Sequence, residues 1–356
     1  MSATQLDPQK VEDFVGKVLV DYSATMTTLL AVLGDRLGLF KDLHKNGPAT
    51  SSELASRTGV QERYAREWLG GMATAGYVLY DPESEIFTLP PEHAPALAEE
   101  AGPNFFGGLY QMVPAMADIL DEVTGVFRDG GGVPFSAYNG NLWDGMERFT
   151  NCWFENLLVQ EWIPEMPDVA SKLEKGAKVA DIGCGRGRAL IKLASTYPGS
   201  EFVGFDIFPP SVERARANAE AAGVEDRIRF EVLDVSDGLP EKFDIITTFD
   251  VIHDAPDPLG MLRTIRSALN DDGVYVCLDI NCSDKLEENE GPLGSMFHGF
   301  SMMYCMTTSL SLNGAGLGTL GFHEHKVQEL SSEAGFGSVR KLPLENPFNN
   351  IYEIRP

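Results

Sequence analysis

The sequence predicts an α/β protein: a C-terminal parallel sheet with helices on both faces, preceded by a helical domain and a helical connector. Three observations carry that prediction. From Lys178 onward, short apolar strands alternate with amphipathic helices, the pattern that winds a parallel sheet. The first of those strands runs into a glycine-rich turn, Gly183-Cys-Gly185-Arg-Gly187. Before residue 100, helical periodicity gives way to a β-hairpin. A chain of 356 residues exceeds one ordinary core. We divide it into residues 1–100, 101–175 and 176–356.

From about Asp7 to Phe40 the apolar positions, among them Leu29, Leu30, Leu33, Leu37 and Phe40, fit helices. Gly47-Pro48 stops them, and Thr50-Ser-Ser-Glu53 supplies a hydroxyl cap with an acid in the first turn. That short helix ends at Gly59. Another, from Gln61 to Ala75, carries Tyr64, Trp68, Leu69 and Met72 on one side. Tyr77–Tyr80 and Ile86–Leu89, joined by Asp81-Pro-Glu-Ser-Glu85, read as the hairpin. Three helices and a hairpin make a winged helix, a fold that often binds DNA. Its would-be recognition helix, however, balances Glu62 and Glu67 against Arg63 and Arg66. The whole chain sets 28 Lys and Arg against 53 Asp and Glu, a formal charge of −25. Such a field repels phosphate backbones and anionic lipid. We therefore expect neither nucleic acid nor membrane as a partner, and expect the winged helix to pack against a second subunit.

The connector joins Gly130-Gly-Gly132 to Phe135 and Tyr138, with Trp143, Phe149, Trp153, Phe154 and Trp162 beyond. Consecutive glycines free the backbone to hinge, and aromatic groups beside them can close over a ligand. Phe135 and Tyr138 are the candidates for that role; most of the other rings are expected in the core.

In the C-terminal part, Val179–Ile182, Phe202–Phe205, Ile228–Val235, Phe243–Phe249 and Val274–Leu278 read as strands. Helices between them present Ala189, Leu190, Leu193 and Ala194, then Val212, Ala215 and Ala219, then Leu262, Ile265 and Leu269. A helix over about Glu324–Glu333 precedes two short strands around Val339–Leu342 and Ile351–Ile354. The longest stretch without Asp, Glu, Lys or Arg, Gly291–His323, has an apolar core, Phe300–Leu312, too short to span a bilayer. No secretory signal is visible, and the five cysteines lack finger or C-x-x-C spacing. Reduced thiols in a cytoplasmic protein are the expectation.

The chemistry concentrates where strands end. In Asp181-Ile-Gly183-Cys-Gly185-Arg-Gly187, bare backbone lets main-chain amides approach a ligand, and the helix start adds free N–H groups. Asp206 ends the second strand, about 20 residues past the glycines, where a carboxylate can accept ribose hydroxyls. Asp234 ends the third and can accept the amine of an adenine; Asp250 follows the fourth. Ligands of open α/β sheets bind outside the carboxyl ends of the strands, so these acids converge on one crevice suited to a cation. Gly185 and Gly187 are two apart, which disfavours a nicotinamide fingerprint.

On these motifs residues 178–356 resemble the class I S-adenosylmethionine-dependent methyltransferases, marked by Asp-x-Gly-x-Gly-x-Gly. The whole chain resembles the actinobacterial members with an N-terminal winged helix and, more distantly, the small-molecule O-methyltransferases of plants and antibiotic-producing bacteria. Ile246-Thr-Thr-Phe-Asp-Val-Ile-His-Asp254, Cys305–Leu310 and Gly314–Gly318 carry the nearest likeness. The resemblance implies a Rossmann-like, seven-stranded sheet, S-adenosylmethionine as cofactor, a small-molecule methyl acceptor and a homodimer. It places Gly183, Gly185 and Gly187 against the methionine part of the cofactor, and Asp181 near its ammonium. Asp206 faces the ribose, Asp234 and Val235 the adenine, and Phe249 lies near the sulfonium; Ile207 and Asp250 are further cofactor-binding candidates. His253 occupies the position of a His-Asp-Trp general base, although Ala255 stands where the tryptophan belongs. Met and aromatic groups after the fifth strand, with His298, Met302, Met303 and Met306 foremost, suit an adaptable apolar acceptor pocket. His323 and His325 flank Glu324, but at that spacing near a helix start they do not share a face, and no metal is expected. The alternative function is a cofactor-binding winged-helix regulator without transferase activity.

Overall fold

A computed structural model describes residues 6–356, which form two compact units. One runs to Val113 and takes up Asp144–Cys152; the other comprises Pro114–Trp143 and Trp153–Pro356.

The first unit opens with a 29-residue helix, Pro8–Arg36, whose N-cap Asp7 accepts the Gln9 amide. Helices Leu39–Asn46, Ser51–Thr58 and Glu62–Thr74 follow. Thr50 and Glu53 form the expected reciprocal capping box. Strands β1 (Leu79–Asp81) and β2 (Ile86–Thr88) pair antiparallel as the wing. Phe40 meets Trp68 edge-on, with ring centroids 5.0 Å apart, and the Trp68 indole donates to the Leu30 carbonyl. The buried face of Glu62–Thr74 is Ala65, Trp68, Leu69 and Met72. Tyr64, expected on it, is exposed, because at 100° per residue it falls off the edge of that stripe. Arg148 ties Asp144–Cys152 into this unit, with both Nη atoms on Asp35 (2.8 and 2.9 Å) and Nε on Glu100 (2.8 Å).

Pro8–Arg36 keeps large apolar side chains in the open. Val11, Val15, Val18, Tyr22, Met26, Leu29 and Leu33 recur at helical spacing, and each is at least 42% exposed. By length and composition, this is the one helix among the described residues long and apolar enough to cross a membrane.

The second unit is built on a seven-stranded sheet. Its strands are β3 (Lys178–Ile182), β4 (Glu201–Asp206), β5 (Ile228–Val232), β6 (Phe243–Phe249), β7 (Leu269–Ile280), β8 (Ser338–Lys341) and β9 (Asn349–Arg355). They lie in the order β5-β4-β3-β6-β7-β9-β8. The first five are parallel, and β9 runs antiparallel between β7 and β8. Val179, Ala180, Phe202, Val203, Phe205, Ile245 and Ile246 are fully buried, as strands covered on both faces require. Two strand ends differ from the sequence reading. β5 stops at Val232, because Asp234 turns aside to cap the 235–237 turn, accepting the Ser236 amide at 3.0 Å. β7 begins at Leu269 and runs on to Ile280, which takes Asp279 into the sheet. Strand order reverses at β3/β6, the switch point that opens a crevice at the carboxyl ends.

Candidate active site

The glycine turn follows β3. Gly183, Gly185 and Gly187 all have left-handed φ, +67°, +52° and +77°, a region open to glycine at no steric cost. A Cβ at Gly187 would stand 2.5 Å from the Phe230 ring, whereas one at Gly185 would meet nothing within 4 Å. The turn is therefore packed on one side and open at Gly185. Asp206, at the end of β4, accepts the Gly185 amide on Oδ2 and the Phe208 amide on Oδ1, each at 2.8 Å. Burial pushes its carboxyl up, against those two hydrogen bonds. Asp181 is buried and accepts from Thr247 Oγ1 at 2.7 Å. Burial raises it to about 7, with the charge of Asp206 adding to the rise. Ile207 and Asp234 are exposed, and Val235 is buried in the core.

A second group of acids gathers beyond β6 and β7. His253, on the short turn Ile252–Asp254, places Nδ1 2.7 Å from Asp279 Oδ1, and both side chains are buried. Burial alone would keep the ring neutral, but the Asp279 charge outweighs it and holds the imidazole well above its ordinary range. Side-chain oxygen and nitrogen atoms of Asp250, His253 and Asp279 lie within 4.8 Å of one another, as do those of His253 and Asp254 with the Cys305 sulfur. Burial raises Asp254 to about 7, with His253 opposing and Asp279 and Asp206 adding. Asp250 is likewise pushed up by burial and by Asp279.

Five aromatic rings form a third group. Trp143 and Phe208 meet at a tilt with centroids 4.8 Å apart, Tyr138 meets Tyr304 at 5.5 Å, and Phe135 lies 6.1–6.3 Å from Trp143, Tyr304 and Phe208. The glycine-rich strap leading to Phe135 is fastened at both ends. Val133 donates its amide to Thr307 Oγ1 at 2.9 Å, and the Tyr138 hydroxyl donates to the Met303 carbonyl at 2.6 Å. The segment beneath it is helix Pro292–Phe300, a π-turn Ser301–Cys305, then helix Met306–Ser311.

Family models match two parts of the chain: a methyltransferase domain over residues 173–330 and an Rv2258c-like winged HTH domain over residues 24–99. The O-demethylpuromycin-O-methyltransferase of Streptomyces alboniger is 25% identical over 337 residues, covering 85% of this chain and 83% of its own. O-methyltransferase SfmM3 of Streptomyces lavendulae is 26% identical, covering 93% of this chain and 98% of its own. Among solved structures, human N-acetylserotonin methyltransferase, in complex with SAM, superposes with a TM-score of 0.71 at 18% identity, over 100% of this chain and 99% of that one. The chain is an S-adenosylmethionine-dependent methyltransferase.

The methyltransferase offers its cofactor a chemically fitting cradle. The left-handed glycines bare the backbone, open space lies over Gly185, and the nearby charges are carboxylates suited to a cationic sulfonium. Of the residues expected in the site, Gly185 joins Asp206, Gly183 packs under Val251, and His253 meets Asp250. Phe135, Tyr138 and the Met303 carbonyl come together with the other rings. Phe249 packs against Phe154, with centroids 5.2 Å apart. His298 and Met302 are exposed, and Met306 is half-buried. His323 is the N-cap of Glu324–Glu333 and accepts the Lys326 amide. The sequence reading passed over Asp279, Cys305, Trp143, Phe208 and Tyr304 as site residues. For Asp279 the signal was present: an acid one residue past the expected end of the fifth strand.

Proposed function

We propose that this methyltransferase acts on the oxygen of a small, apolar or aromatic hydroxylated acceptor, with His253 as general base. The observation that carries the reading is the buried His253–Asp279 pair at 2.7 Å, set at the carboxyl ends of β6 and β7. Asp279 accepts from Nδ1–H, so above its raised pKa the ring offers the Nε2 lone pair to take the acceptor proton. The imidazolium that results stays paired with a carboxylate. The names of both Streptomyces relatives specify oxygen methylation.

The glycine turn and Asp181 would hold the methionine part of the cofactor, Asp206 the ribose, and Asp234 and Val235 the adenine, with Phe249 near the sulfonium and Ile207 and Asp250 as further contacts. Bound there, S-adenosylmethionine supplies an electrophilic methyl group on positively charged sulfur. The protein then has to align acceptor oxygen and methyl carbon, and alignment of this kind is worth about 7–11 kcal/mol. The aromatic group around Phe135 and Tyr138 lines the acceptor side and keeps water out, with the rest of residues 101–175 serving as connector and lid. Cysteines free of disulfides, Cys184, Cys277, Cys282 and Cys305, fit a cytoplasmic enzyme.

The exposed stripe of Pro8–Arg36 takes a second copy of this chain, making a homodimer. It runs almost the length of a helix of about 43 Å, and Lys10, Glu12, Asp13, Lys17 and Asp21 lie on the other sides of its first half, a one-sided apolar face that suits a partner helix better than lipid on all sides. Val15→Asp with Leu19→Asp is expected to convert dimer to monomer in sedimentation equilibrium. A wild-type monomer, or wild-type binding to anionic vesicles, overturns the assignment.

Turnover is tested by S-adenosylhomocysteine release over a panel of phenols and hydroxyquinones. His253→Ala is expected to lower kcat by about 10²–10⁴ while cofactor affinity stays unchanged. Undiminished turnover in that variant removes the base from the reading.

A further inference from the structure

We propose that Asn349 is a positioning residue for the base: from the first position of β9 it holds Asp250 against His253, making Asp250 a second carboxylate partner of the imidazole. The inference rests on the reading of His253 as base. Asn349 is 2% exposed, and its Nδ2 donates to Asp250 Oδ1 at 2.6 Å. The two residues are 99 apart in sequence. The sheet brings them together, because β9 runs antiparallel along β7 with Asn349 opposite Ile280 and Asn350 opposite Asp279.

Two features show that the contact is maintained against local cost. Asp250 has φ +57°, a left-handed backbone that non-glycine residues rarely adopt. Its amide is tied to the Leu278 carbonyl at 2.9 Å, so the chain turns sharply as it leaves β6 and sends the carboxylate towards the imidazole. Asn349 also buries Oδ1 with no donor facing it. An apolar side chain of similar size would escape that penalty. What asparagine supplies and an apolar group cannot is the Nδ2–H on Asp250.

The groups facing the imidazole come from four elements: Asp250 after β6, Asp254 on its own turn, Asp279 on β7 and Cys305 on the π-turn. Asp250 in turn faces Asp279, Asp254 and His253. Three crowded carboxylates repel, and each favours the protonated form of its neighbours. The Asn349 N–H favours the ionised form of Asp250. Burial and Asp279 push Asp250 the other way, so the amide acts together with the ring: as His253 takes up the acceptor proton, both draw Asp250 towards its ionised form. Without the amide, Asp250 holds its proton more tightly, less negative charge develops beside the ring, and the pKa of His253 falls.

The test is the pH dependence of kcat for wild type, Asn349→Leu, Asp250→Asn and the double variant, using a turned-over phenol and saturating S-adenosylmethionine. Because the base works unprotonated, kcat rises through the pKa of His253. In Asn349→Leu the plateau is expected to fall about tenfold, and the acid limb to move to lower pH by about 0.5–1 unit. Asp250→Asn should move the limb in the same direction, and the double variant no further. A folded Asn349→Leu whose limb stays put, or a double variant whose shifts add, overturns the inference. Should Asn349→Leu fail to fold, Asn349→Thr, too short to keep the contact, is held to the same criteria. Loss of the base reading is recognised separately, by a His253→Ala enzyme of normal kcat.

Discussion

The two ends of the crevice hold their acids in opposite ways. At the glycine turn, carboxylates face donors: Asp206 receives two backbone amides and Asp181 a threonine hydroxyl. Around His253, carboxylates face one another, and Asp279 Oδ2 and Asn349 Oδ1 are buried without a partner. The first end is a finished hydrogen-bonded frame, able to wait for a cofactor. The second carries an excess of buried lone pairs and negative charge over protons, the condition in which one imidazole is held basic. On the proposed reading, binding and proton transfer would draw on the same residue types in different surroundings.

The largest effect expected at the His253 end comes from Asp279→Asn. It places an amide where a carboxylate fixes the tautomer and should cost about 10²–10⁴ in kcat with little change in cofactor affinity. An equal loss of affinity would mean that the two ends are not separable. At the other end, Gly187→Ala adds strain at φ +77° to a 2.5 Å collision with Phe230. It should destabilise by about 2–5 kcal/mol, read from urea unfolding. Asp206→Ala comes next: losing a charged hydrogen-bond acceptor costs about 1.5–3 kcal/mol, or roughly 10–150-fold in Kd for S-adenosylhomocysteine by calorimetry. Gly185→Ala has the strained φ but open space, and about 1–2 kcal/mol is expected. If it matched Gly187→Ala, packing would not distinguish the two glycines.

The smallest and broadest effect is on pH. Asp181 and Asp254 have folded values of about 7 against an ordinary 3.8. A raised acid contributes stability that is complete below its unfolded value and lost as pH rises through its folded value. Tm of the cofactor-free protein is therefore expected to decline between about pH 4 and pH 7 at these two positions. Asp181→Asn should flatten part of that slope, and a Tm that climbs over this interval would contradict the raised values.

The same contrast governs how much the sequence reveals. The glycine turn, the Thr50–Glu53 capping box and the strand cores are local patterns, set by spacing and by residues without side chains. Asp206 is legible because it stands a fixed distance past that turn. The winged helix was equally accessible. The His253 end is assembled from β6, β7, β9 and a π-turn, and its contacts span 26 to 99 residues. No periodicity reports such pairings, so His253 was found alone, without Asp279 or Asn349. Asp234 was read as a strand terminus because Ile228–Val235 is apolar enough to continue; in the structure its side chain caps the next turn instead.

A crystal structure with S-adenosylhomocysteine and a turned-over phenol tests the account most directly. It should place the phenolic oxygen about 2.6–3.2 Å from His253 Nε2, with Nδ1 still on Asp279. An acceptor oxygen held elsewhere, with His253 out of its reach, would contradict it.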